Sequence, residues 1–122
     1  MTDFNLVVLY VNDSGASSAF YEELLERPIV QASPKFAMLP LGKETMLGLW
    51  QREAVEPRAS HEIGGTEVVF NVANADAVRT THEAWKARGL KIAQAPTATA
   101  FGQTFVALDP DGHRLRVLAP AA

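Results

Sequence analysis

Glu67 and Arg116 are the polar pair of greatest chemical interest in this chain, and Trp50 is the residue best shaped to hold a flat molecule. A carboxylate beside a guanidinium makes either an ion pair that satisfies two charges or an anchor, with the arginine fork taking a ligand carboxylate and the glutamate steadying it. Glu67 would serve as a general base only with a raised pKa. The Trp50 indole either stacks on a planar ligand or completes a core or a dimer interface. Tyr10 has a similar choice, its hydroxyl reaching a ligand or solvent. The three histidines, His61, His82 and His113, fall in a linker, on a helix and after a turn, without the spacing of a cluster. No cysteine is present, which excludes disulfides, thiolate catalysis and cysteine zinc sites. Neither a phosphate-cradling glycine loop nor a nucleophile elbow occurs.

The elements that must position these residues follow from alternation and turn chemistry. Residues 4–11 alternate in a β-rich run, so that Phe4, Leu6, Val8 and Tyr10 share one face. Asn12-Asp13-Ser14-Gly15 offers capping oxygens for a helix over Ala16–Arg27, with Ala16, Phe20 and Leu24 on one face and Pro28 as the stop. Strands are predicted over Ile29–Gln31, Phe36–Leu41 and Thr45–Gln51. Residues 52–64 read as a linker. A second series then begins: a strand over Thr66–Val72, a helix capped at Asn74 or Asp76 and ending near Arg88 and Gly89, and strands over Lys91–Gln94, Gln103–Leu108 and Arg114–Leu118. Ala77, Thr81 and Trp85 mark the face of that helix. Asp109-Pro110-Asp111-Gly112 is a tight turn.

The halves repeat. At an offset of 61 residues, Val7, Val8, Val11, Ala16, Glu22 and Arg27 match Val68, Val69, Val72, Ala77, Glu83 and Arg88. Phe36 would answer Phe105 and Gly42 would answer Gly112, with the extra length placed in a loop over Ala95–Gln103. The fold class expected is α+β: one domain over residues 1–122, made of two tandem βαβββ units (1–51 and 65–120) in a curved mixed sheet around a cleft, helices outside. Whether the units pair within a chain or across chains is open.

With 48% apolar and 20% charged residues the chain has ordinary globular composition. A formal charge of −3 gives no general basic footprint for nucleic acid. Without a leader pattern or bilayer-spanning run, the expectation is a cytoplasmic protein with no membrane partner.

A doubled βαβββ unit resembles the vicinal oxygen chelate superfamily, which includes glyoxalase I, extradiol dioxygenases, fosfomycin-resistance enzymes and bleomycin-binding proteins. Phe20-Tyr21 with Leu24-Leu25 and Asp109-Pro110-Asp111-Gly112-His113 are the specific signals. Ser33-Pro34-Lys35-Phe36-Ala37, Leu47-Gly48-Leu49-Trp50 and Phe101-Gly102-Gln103-Thr104-Phe105 make it look most like the phenazine-antibiotic resistance proteins. The resemblance implies metal-ligand positions at Leu6, Gly48, Glu67 and Arg116. Leucine, glycine and a permanently cationic arginine cannot supply imidazole or carboxylate, so no metal and no cofactor is expected. It adds Phe36 and Met38 as ligand contacts, with core packing the alternative, and a homodimer as the assembly. Gly48 would leave open the space that a metal-binding side chain fills. The function expected is sequestration of a planar aromatic compound, such as an antibiotic, by Trp50, Tyr10, Phe36, Met38, Glu67 and Arg116, with no catalytic residue assigned. The alternatives are a metal-dependent enzyme of the glyoxalase or dioxygenase type and a metal-free enzyme with Glu67 as base.

Overall fold

A computed structural model of the chain describes residues 5–59, 62 and 65–121. Phe4, His61 and Gly64 of the sequence reading lie outside the described residues. The chain divides into two compact units, Met1–Ile63 and Gly64–Ala122.

Unit one runs β1 (Leu6–Val11), α1 (Ser14–Leu25), β2 (Gln31–Ser33), β3 (Phe36–Pro40) and β4 (Met46–Gln51). Its sheet has the order β1-β4-β3-β2, with β1 and β4 parallel and the other pairs antiparallel. A parallel first-to-last pairing requires a crossover, which α1 supplies. Asp13 caps α1, its carboxylate accepting from the N–H groups of Gly15 and Ala16 at 2.9 and 3.1 Å. The helix stops before Arg27 because Glu26 turns left-handed (φ 52°), and the Ile29 N–H then donates to the Glu22 carboxylate at 3.0 Å. The buried stripe of α1 is Ser14, Ser17, Tyr21 and Leu24. Ala16 is exposed and Phe20 half-buried, so the four-residue series predicted from sequence sits at the edge of the packed face. The strand predicted at Ile29–Gln31 lies two residues later, because Gln31, Ala32 and Ser33 pair with Met38, Ala37 and Phe36.

Unit two repeats the order with β5 (Glu67–Asn71), α2 (Ala75–Ala87), β6 (Lys91–Thr99), β7 (Gly102–Leu108) and β8 (Arg114–Pro120), in the sheet order β5-β8-β7-β6. Asn74 caps α2 through its side-chain oxygen on the Ala77 N–H at 2.9 Å. Gly89 takes φ +88° just past the helix end, a conformation that costs glycine little. Val78, Phe105, Ala107, Val117 and Ala119 form the core, with Phe70, Trp85 and Ile92 packed against it. Trp85 meets Phe105 and Phe70 edge-on, with ring centroids 5.5 and 5.9 Å apart. The loop expected over Ala95–Gln103 is instead mostly strand. β6 continues to Thr99 by shifting register between Ile92 and Gln94 and between Gln94 and Thr97. Irregular pairing absorbs the additional residues that the comparison of the halves had assigned to a loop.

Register also corrects the internal repeat. Gly48 pairs with Val8 and Met38, and Arg116 pairs with Val69 and Val106. Gly48 and Arg116 are therefore equivalent, Met38 answers Val106, and Phe105 answers Ala37 rather than Phe36. The difference matters because neighbours on a strand face opposite sides of the sheet. Phe105 is fully buried in the helix-side core, whereas Phe36 lies on the other face of its own sheet. The β3–β4 and β7–β8 connections close alike, Leu41 N–H to Thr45 O at 2.8 Å and Asp109 N–H to His113 O at 2.9 Å. Gly42 thereby answers Pro110, and Gly112 answers Glu44. Among the described residues no helix is long and apolar enough to cross a membrane.

Candidate binding faces of the two sheets

Each sheet buries one face beneath its helix; the other is partly exposed, at Leu6, Tyr10 and Val69, and buried at Gly48, Thr104 and Val106. In unit one, Leu9, Val11, Ala37, Leu39, Leu47 and Leu49 are buried. The opposite face carries three cross-strand rows. Leu6, Met46 and Pro40 form one, Val8, Gly48, Met38 and Gln31 the next, and Tyr10, Trp50, Phe36 and Ser33 the third. The third row is an aromatic ladder across three strands. Trp50 stands edge-to-face with Tyr10 (6.4 Å, 82°) and with Phe36 (6.1 Å, 90°). Such pairs contribute about 0.5–1.5 kcal/mol each beyond buried area, so the two flanking rings hold the indole plane in place. Trp50, Phe36 and Met38 are half-buried, and Leu6 and Tyr10 are exposed. The structure thus brings together four of the six residues singled out from sequence, Trp50, Tyr10, Phe36 and Met38.

The expected space over Gly48 is absent. A Cβ at Gly48 would lie 3.1 Å from Phe36 Cζ and 3.2 Å from Val8 Cγ2, and Gly48 is buried. The phenyl ring of Phe36 occupies the position that a larger side chain would need.

In unit two the corresponding rows are Val69, Arg116, Val106 and Gln94, and Asn71, Leu118, Thr104 and Thr97. Glu67 and Arg116 are diagonal neighbours that meet, Arg116 Nε donating to Glu67 Oε1 at 3.0 Å. From the other side Arg116 Nη1 donates to Thr104 Oγ1 at 3.2 Å, while the Thr104 hydroxyl donates to the Val117 carbonyl at 2.8 Å. Thr104 is fully buried, so the arginine is braced between a half-exposed carboxylate and a fixed hydroxyl. A concavity of ≈ 460 Å³ opens on this face, lined by Glu67, Val69, Gln94, Phe101, Arg116 and Leu118, with Thr99 and Ala100 at the hairpin. Its size falls in the range of small-molecule sites.

Sequence reasoning missed Thr104, Gln94 and Phe101. One signal was legible in principle: Gln31 and Gln94 occupy the same place in the two repeats, each paired to the strand residue next to Gly48 or Arg116. Sequence spacing places His113 in no cluster of histidines. It is buried, and its imidazole lies with the carboxylates of Asp109 and Asp111 within 4.8 Å. Asp109 Oδ1 already accepts from the N–H groups of Asp111 (2.9 Å) and His113 (2.8 Å), which ties it to the turn. His82 packs edge-on to Phe105, the centroids 5.3 Å apart.

The four superfamily metal positions do not fit a metal. Leu6 is an exposed hydrocarbon, the side of Gly48 is filled by Phe36, and Arg116 places a cation against Glu67.

The sequence pattern described as the Glyoxalase/Bleomycin resistance protein/Dioxygenase superfamily matches residues 3–117. The phenazine antibiotic resistance protein EhpR of Enterobacter agglomerans is 26% identical over 120 residues, covering 93% of this chain and 88% of that protein. Protein ATC0852 of Agrobacterium tumefaciens, solved by NMR, is 45% identical with a TM-score of 0.90 over 100% of both chains. A glyoxalase/bleomycin resistance protein/dioxygenase family enzyme from Burkholderia phytofirmans is 25% identical, with a TM-score of 0.81 over 98% of this chain and 100% of that one.

Proposed function

The chain belongs to the glyoxalase/bleomycin resistance protein/dioxygenase superfamily, and from that premise we propose that it binds and sequesters a planar aromatic compound without a metal, as an antibiotic-resistance protein would. The observation that carries this reading is the Tyr10–Trp50–Phe36 ladder on a partly exposed sheet face. A partly exposed indole held at right angles to two other rings is a preorganised surface for stacking, which spares a ligand part of the ordering cost of binding. The donor set at the superfamily's metal positions supports the metal-free half of the proposal. The name of the Enterobacter relative supports the ligand class, since a phenazine is a flat, fused aromatic system. Sequestration needs burial and stacking only, so no bond changes. Glu67 Oε1 is engaged by Arg116, which speaks against its use as a base. A homodimer belongs to the same proposal; sedimentation that reports the 13.2 kDa monomer at every concentration would remove it.

The test is a titration with phenazine followed by tryptophan fluorescence and, because Trp85 also emits, by equilibrium dialysis. Saturable binding that Trp50→Ala weakens about tenfold is expected. Equal affinity in the variant would sink the stacking model. One tightly bound divalent ion per chain, in protein purified without added metal, would overturn the metal-free reading.

A further inference from the structure

We infer that the concavity of unit two takes an aromatic compound bearing a neutral carbonyl oxygen, with Phe101 against its ring and Arg116 donating to its oxygen. The inference rests on the aromatic-binder reading and adds to it a chemical class and a new contact residue.

Phe101 is the first observation. Its side chain is 78% exposed, whereas the other described phenylalanines are buried or half-buried. Exposure here is not looseness. The Phe101 N–H donates to Thr99 Oγ1 at 3.2 Å, the Thr99 hydroxyl donates to the Gly102 carbonyl at 2.8 Å, and the Phe101 carbonyl accepts from Ala121 N–H at 2.9 Å. Gly102, at φ +133°, presses so closely on the Ala119 carbonyl that no other residue fits. The hairpin tip is pinned by its backbone while its ring faces water at the rim of an apolar concavity. A ring presented on a fixed backbone is ready for a partner surface and loses little freedom on meeting one.

The polar end is defined by two side chains, Arg116 and Glu67. Arg116 uses Nε on Glu67 and Nη1 on Thr104, and among the described residues its Nη2 donors are uncommitted. A guanidinium only donates, so the complementary ligand atom is an acceptor. Glu67 selects between kinds of acceptor. Its carboxylate lines the same concavity and already neutralises Arg116, so an incoming carboxylate would meet a like charge where a neutral carbonyl meets only donors. Val69, 48% exposed, and Leu118 supply apolar wall for the ring.

Three probes with one ring system test this: 2-acetylnaphthalene, 2-naphthoate and 2-ethylnaphthalene, each followed by equilibrium dialysis and by amide NMR of the full chain. The acetyl compound should bind at least about threefold more tightly than the other two and shift the amides of Thr99, Ala100, Phe101 and Val69, a modest preference fitting one hydrogen-bonded oxygen. Phe101→Ala should weaken it about three- to tenfold, with amide spectra otherwise unchanged. Phe101→Leu should fall between wild type and Phe101→Ala. Equal affinity for all three probes, unchanged affinity in Phe101→Ala, or no shift at residues 99–102 overturns the inference. If phenazine still quenches Trp50 while residues 99–102 stay unshifted, this inference fails alone. If acetylnaphthalene shifts them as expected and phenazine does not bind, the Trp50 reading fails and the site in unit two stands.

Discussion

The phenyl ring of Phe36 lies where a side chain at Gly48 would project, 3.1 Å from the Cβ position. Glycine at this point of β4 is therefore a packing requirement of the partly exposed face. It is also why the superfamily's metal position cannot be restored here by one substitution.

Gly48→Leu is expected to cost about 1–3 kcal/mol by overpacking. Combining it with Phe36→Ala should recover about 1 kcal/mol or more relative to additivity, because the second change removes the obstructing ring. Urea denaturation of the four proteins of that cycle measures the coupling. Strict additivity would mean that Phe36 moves aside freely and does not fill the site.

The brace on Arg116 has unequal arms. Glu67 and Arg116 form a partly exposed pair, so Glu67→Gln should lower stability by less than about 1 kcal/mol, and less still at high salt. Thr104→Val removes a fully buried hydroxyl that serves the Val117 carbonyl and Arg116 together, and should cost about 1–3 kcal/mol. If the two variants unfold at the same denaturant concentration, the buried arm is not what holds the arginine.

Gly102 offers a backbone test. A Cβ there would come within 2.0 Å of the Ala119 carbonyl at a φ of +133°. Gly102→Ala should destabilise by about 2 kcal/mol or more and broaden the amide signals of residues 99–102. Gly42, with nothing within 4 Å of its Cβ position, is the control, and Gly42→Ala should stay within about 0.5 kcal/mol of wild type. Thermal unfolding of both variants decides, and equal melting temperatures would contradict the close packing of the hairpin on β8.

The sequence by itself determined the order of elements, the doubling and the faces of most strands. Alternation in Leu6–Val11 and Glu67–Asn71 sorts side chains into two sets whatever the partner strand is. It also showed that Leu6, Gly48 and Arg116 are poor metal ligands, since that is a property of their own atoms. Only the tertiary structure decided what meets across strands. Register arises from hydrogen bonds between residues far apart in sequence, and a slip of one residue exchanges the faces. That is how Phe36 was matched to Phe105 although one lies on a partly exposed face and the other in a core. The same dependence hid the β6 irregularities, which keep Ala95–Thr99 in the sheet, and the bracing of Arg116 by Thr104. Gly48 promised room when read along its strand; a ring from the neighbouring strand fills it.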